Sequence, residues 1–171
     1  MPPKYMVVPE GTSQPMQYPG ISVVNTDGTV FETDIGAVGT QREINLTATP
    51  KSVVGSWTAQ QGGSLFIQYN SSGALNNAAS FGFSIPVAGT FTVEVIAESG
   101  TDSAIATITI DNGASVGTAD LYGAGAPLRR TINGVVLTSG NHTFTLTALS
   151  KNASSSSYLM RLHRAILTRT A

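Results

Sequence analysis

The chain has 171 residues, with nine Lys or Arg against ten Asp or Glu, two His and no Cys. That length accommodates one domain with a sizeable core, or a smaller domain with an attached arm. The absence of cysteine excludes disulfides and thiol chemistry, and a net charge of −1 offers no electrostatic footprint for nucleic acid.

Charged residues make up 11% of the chain, and Ser, Thr, Asn and Gln take their place. Ordinary soluble domains carry about 25%. Such a surface is weakly protected by charge repulsion and suits a protein packed against neighbours. All ten acidic residues precede Leu121, together with only Lys4, Arg42 and Lys51, whereas Arg129, Arg130, Lys151, Arg161, Arg164 and Arg169 follow it with no acid. Opposite blocks of this kind dock one copy on another or cancel within one fold. No window reaches the length and apolarity of a membrane span. Met1 to Glu10 has no apolar run of the kind a secretory signal requires, so assembly inside a cell is expected.

The first twenty residues contain Pro2, Pro3, Pro9, Pro15 and Pro19, which remove backbone donors and hold the chain extended. Tyr5, Val7, Val8, Met16 and Tyr18, followed by Ile21 and Val23, are costly to leave in water, so this segment is expected to be an arm whose apolar residues anchor on a partner. Ile21–Val24 and Thr29–Phe31 flank Asn25-Thr26-Asp27-Gly28, a hairpin signal. Gln41–Thr49 reads as a further strand with Ile44, Leu46 and Ala48 on one side. Pro50 to Gly55 marks a boundary, giving an arm and hairpin over 1–51 and a β-sandwich over 52–171.

Within the sandwich, apolar residues alternate with Thr or Ser: Phe91, Val93 and Val95; Ala106, Ile108 and Ile110; Phe144, Leu146 and Ala148. This is the period of a strand with one buried face. Strands are expected near Ser64–Tyr69, Phe81–Pro86, Thr90–Ala97, Ala104–Asp111, Gly117–Leu121, Thr131–Leu137, His142–Leu149 and Tyr158–Thr168, with helix nearly absent. Asp111-Asn112-Gly113, Asn133-Gly134 and Ser139-Gly140-Asn141 supply turn residues that tolerate positive φ. Eight short strands at this spacing predict an all-β, antiparallel jelly-roll β-sandwich.

Candidate chemistry is sparse. Hydrolysis needs two carboxylates on one cleft, or a nucleophile with a base and an orienting group. Glu94 alternates with core residues, Glu98 and Asp102 flank a turn, and His142 and His163 lack a serine partner, so no catalytic residue is expected. Asp102, Asp111, Asn112 and Asp120 are hard-oxygen donors at positions where turns favour Asp or Asn, with no metal-loop spacing, so neither metal nor cofactor is expected. Trp57, Tyr69, Tyr122 and Tyr158 are the aromatic candidates for a sugar platform, Trp57 alternatively sealing one end of the core. Asn152 to Ser157 reads as a flexible exposed loop.

The segments Phe83-Ser84-Ile85-Pro86-Val87-Ala88-Gly89-Thr90-Phe91, Ile108-Thr109-Ile110-Asp111-Asn112-Gly113, Asp120-Leu121-Tyr122-Gly123 and Ser139-Gly140-Asn141-His142-Thr143-Phe144, with the closing Ala165-Ile166-Leu167, carry a resemblance. Their order resembles the jelly-roll, carbohydrate-binding-module-like domains of bacteriophage virion proteins and of some secreted glycosidases. The resemblance implies mostly structural roles for His142 and Tyr122. With no secretion signal and a basic last strand, it leans towards the virion branch: a non-enzymatic capsid decoration or cement protein, homotrimeric, held on a major capsid protein by its N-terminal arm and located in the virion after assembly in the host cytoplasm. The alternative is a carbohydrate-binding adhesin, or a head or tail fibre module recognising host glycans. Neither reading involves a membrane or nucleic acid.

Overall fold

A computed structural model describes residues 37–63 and 65–171, together with the backbone of three short strands before them. Those three are β1 (Met6–Val7), β2 (Ser22–Val24) and β3 (Val30–Glu32). β2 and β3 pair antiparallel, as the Asp-Gly step predicts, and β1 adds parallel to β2 with Met6 opposite Val23. Of the anchoring residues, Tyr5, Val8, Met16, Tyr18 and Ile21 lie outside the described residues, and for Val7 and Val23 only the strand pairing is described.

The body is built from β4 (Gln41–Asn45), β5 (Ser52–Val54), β6 (Trp57–Gln61), β7 (Phe66–Asn70), β8 (Ala78–Ile85), β9 (Gly89–Glu98), β10 (Ala104–Ile110), β11 (Ser115–Asp120), β12 (Pro127–Leu137), β13 (Gly140–Lys151) and β14 (Arg161–Arg169). One sheet has the order β11-β10-β13-β8-β5, the other β12-β9-β14-β7-β6, with β4 added to the edge of β14 that β7 leaves free. Successive strands from β8 to β14 pass repeatedly from one sheet to the other, so every crossover spans the core, as a jelly roll requires. All eight expected strands are present, and the described residues contain no helix.

The alternation carries the core. Phe81, Ile85, Ile108, Phe144 and Leu146 of the first sheet face Ile44, Phe91, Val93, Val95, Leu162 and Leu167 of the second, all at 5% exposure or less. Burying side chains of this size stabilises by about 1.5–3 kcal/mol each. The Asp111-Asn112-Gly113 turn adopts the left-handed backbone its residues favour, with φ of 51° at Asp111 and 56° at Asn112.

Three expectations need correction. Gln41–Asn45 was assigned to the arm, but β4 pairs with β14 over Gln41 to Asn45, and Ile44 and Leu46 are core residues. The Pro50 break is a crossing from one sheet to the other, not a linker out of the sandwich. β5 and β6 were not foreseen, because Ser52–Val54 is short and Thr58-Ala59-Gln60-Gln61 has no apolar alternation. Of the two readings of the opposite charge blocks, pairing within one fold is observed: Arg129 with Glu94 at 3.1 Å, Arg161 with Asp102 at 2.8 Å and Arg164 with Glu43 at 3.2 Å. The first and third follow from strand register, which sets β12 beside β9 and β14 beside β4, and the second from the connection over 99–103 that brings Asp102 to the start of β14.

Candidate functional site

Strand directions bring five connections to one end of the sandwich: residues 55–56, 71–77, 99–103, 121–126 and 152–160. Backbone bonds lace them together. Ser156 N–H donates to Thr101 O at 3.1 Å, Leu159 N–H to Asp102 O at 3.0 Å, Gly123 N–H to Gly100 O at 3.3 Å and Tyr158 N–H to Gly73 O at 3.3 Å.

Asn70 acts from below this crown of loops. Fully buried at the end of β7, it donates from Nδ2 to Tyr158 O at 3.1 Å and accepts Met160 N–H on Oδ1. The expectation of a flexible loop over Asn152 to Ser157 is thereby corrected. Ser155 is buried, and its hydroxyl lies 2.8 Å from Ser103 O and 2.9 Å from Ser157 O. The Ser155 and Ser157 hydroxyls here serve as backbone partners in place of strand pairing and fix the loop, while Ser154 and Ser156 face solvent.

All four aromatic candidates come to this end, on two flanks. On the six-stranded side, Tyr69 sits directly across from Arg161 in the β7–β14 ladder, and the guanidinium lies 5.5 Å from its ring centroid. Arg161 makes a bidentate pair with Asp102, at 2.8 and 2.9 Å, and reaches the Ser103 hydroxyl at 3.0 Å. The fork geometry holds the Asp102 carboxyl below its usual range and Arg161 above its own. Beside them the Glu98 carboxylate is 7% exposed, with the β6–β7 turn folded over it. A Cβ at Gly62 would come within 2.7 Å of its Oε2, so any larger residue there would displace the carboxylate.

On the five-stranded side, Asp120 is the organising residue. Its Oδ1 accepts Tyr122 N–H at 3.0 Å, and its Oδ2 accepts the Asn152 amide at 3.1 Å. Lys151 lies 5.2 Å from the Tyr158 ring centroid, and Tyr158 itself is half-buried against the core. Tyr122 is half-buried and makes no ring or cation contact among the described residues. Trp57, like Tyr158, packs partly buried against the core, and it donates Nε1–H to Val54 O at 3.0 Å.

Sequence reasoning named the aromatic residues but missed Arg161, Asn152 and Lys151 as their companions, and weighed Asp102 and Asp120 as metal donors or turn residues, and Asp102 as a hydrolytic carboxylate, rather than as partners of distant side chains. The separations explain this: Asp102 and Arg161 are 59 positions apart, and Asp120 and Asn152 are 32 apart. Both oxygens of Asp102 and both of Asp120 are engaged as acceptors. Glu94 pairs with Arg129, and His163 donates from Nδ1 to Phe66 O at 2.7 Å. No group of three or more His, Asp or Glu able to hold a metal ion is found among the described residues.

No protein-family model matches the sequence, and no curated protein matches it. Solved structures do. A xanthan lyase from Paenibacillus superposes with a TM-score of 0.69 at 20% identity, over 86% of this chain and 14% of the lyase. The CBM36-1 domain of a multidomain xylanase from the hindgut metagenome of Trinervitermes trinervoides gives 0.59 at 17% identity, over 77% of this chain and 99% of that domain. A family 35 carbohydrate binding module from Clostridium thermocellum gives 0.56 at 18% identity, over 74% of this chain and 98% of that module. The chain thus spans a small part of the lyase and nearly the whole of the two modules, and at these identities what it shares with all three is the jelly-roll β-sandwich fold.

Proposed function

We propose that this chain is a non-catalytic carbohydrate-binding module whose ligand surface is the loop crown. One observation carries the reading: Tyr69, Tyr122 and Tyr158 stand at one end of the sandwich, with Arg161, Asp102, Asp120, Asn152 and Lys151, on strand ends and on loops cross-linked through their backbones. Sugar rings present C–H faces that stack on aromatic rings and hydroxyls that pair with amides and charged groups, and a rigid frame lowers the entropy cost of binding them. Asp102 and Asp120 engage both oxygens each with Arg161, Tyr122 N–H and Asn152, which gives them a part in holding the crown in shape.

The fold likeness to structures named as carbohydrate binding modules supports the same reading. The virion reading, with its capsid partner and trimer, rests on composition and on the proline-rich arm. None of the structures named above is a virion protein.

The test is binding of the full chain to immobilised glycans and soluble polysaccharides, including xylan, mannan, galactan and xanthan. Retention by at least one, weakened about tenfold or more by Tyr122→Ala or Tyr158→Ala in folded protein, is expected. Trp57→Ala acts on stability instead. A chain that binds none of these glycans while associating with phage capsids would replace this reading with the virion one.

A further inference from the structure

The opposite end of the sandwich holds a second feature. β4 and β14 end there in arginines whose positions by alternation belong to the core: Arg42 has the parity of Ile44 and Leu46, and Arg169 that of Ala165 and Leu167. The register confirms it. Arg42 lies directly across from Leu167, which is 0% exposed, and Arg169 across from Phe91, at 3%. Cross-strand partners share a face, so both guanidinium groups point inward at the mouth of the core.

There they line one narrow pocket of about 10 Å³, partly open to solvent, with Ile85 and Phe91 as its floor and Pro86 and Val87 on the side of the other sheet. Among the described residues neither arginine forms an ion pair. Arg169 Nη2 donates to Ala88 O at 3.2 Å, while the Nε–H groups of both Arg42 and Arg169 are sealed from solvent with no acceptor. The Ala171 oxygen nearby already accepts Thr90 N–H at 2.9 Å. Two like charges at the edge of an apolar interior, with unmet Nε–H donors and no Asp or Glu within ion-pair distance among the described residues, are unfavourable as they stand.

We propose that this basal pocket is an oxyanion-binding site, at whose solvent-open mouth a carboxylate, sulfate or phosphate group is held between Arg42 and Arg169 with one oxygen directed into it. Guanidinium forks match such groups in geometry and in charge, and the apolar floor strengthens the attraction by excluding water. The site lies at the other end of the sandwich from the loop crown, so it stands or falls independently of carbohydrate binding there.

The experiment follows thermal unfolding of the full chain in millimolar potassium acetate, sulfate or phosphate, against potassium chloride at equal ionic strength. At least one oxyanion is expected to raise the midpoint saturably by about 2–5 °C, and Arg42→Gln and Arg169→Gln are each expected to lose most of that rise. Saturation by acetate alone assigns a planar carboxylate, and by sulfate or phosphate a tetrahedral group. Should either variant not fold, the Nε–H resonances of Arg42 and Arg169 in the wild-type chain must shift saturably with the same salts. A rise that is linear in salt and equal in the variants, or resonances that do not move, overturns the proposal.

Discussion

His142 and Asp111 form a 2.7 Å contact between Nδ1 and Oδ2 that joins two turns at the base of the sandwich, and His142 Nε2 lies 2.9 Å from Thr138 O. A backbone carbonyl only accepts, and so does an ionised carboxylate, so this geometry is fully satisfied when both ring nitrogens carry protons. Burial of the ring opposes the charge. The bonds to Asp111 and Thr138 and the attraction of Asp111 outweigh it and hold the imidazole above its usual 6.5.

The pH dependence follows. With its folded value raised, His142 contributes stability that is complete below the unfolded value of 6.5 and is lost as pH rises through the raised value. Urea midpoints are therefore expected to fall as pH rises above 6.5, and His142→Gln is expected to flatten that limb at a cost of about 2 kcal/mol below it. An unchanged alkaline limb in the variant would show that other groups control it.

The acid limb belongs to two carboxylates. Asp102 is held below 3.8 chiefly by its hydrogen bonds from Arg161, and Asp111 chiefly by that from His142. Each contributes stability present above 3.8 and lost as pH falls through its lowered value. Asp102→Asn is expected to cost about 1–2 kcal/mol at neutral pH, since Arg161 is left half-buried with a weaker partner, and to reduce the loss of stability below pH 4. Chemical denaturation at pH 3 and pH 6 checks both.

Asn70 is the buried staple of the crown. Asn70→Ala leaves Tyr158 O and Met160 N–H unpaired in the interior, so a loss of about 2–3 kcal/mol is expected. Amide exchange should accelerate at residues 157–160 well beyond the change seen in β10 and β13. Uniform acceleration would mean that the loop is held by the rest of the crown.

Phe144 is fully buried at the centre of β13. Phe144→Ala is expected to cost about 3–5 kcal/mol by cavity formation, measured by the denaturant midpoint at unchanged slope. Val136, 77% exposed on β12, provides the contrast: Val136→Thr is expected to change stability by no more than about 0.5 kcal/mol.

Much of the fold is legible in the chain because its determinants are local. Alternation in Phe91–Val95, Ala106–Ile110 and Phe144–Ala148 sets which face each strand buries, and Asp111-Asn112-Gly113 specifies its turn through backbone preference alone. Where side chains do not alternate, as in Trp57–Gln61, no such signal exists, and pairing with β7 makes the strand. Pro50 gives the same local break whether the chain leaves the domain or crosses between its sheets.

Burial period and turn geometry, then, were determined by the sequence itself, since each depends on neighbours a few positions away. The tertiary structure alone decided which distant residues meet: Tyr69 beside Arg161, Asp120 beside Asn152, Arg42 sharing a pocket with Arg169. The reason is strand order and register. They are set by the packing of the whole core, and a side chain's remote partner leaves no mark on its own stretch of chain.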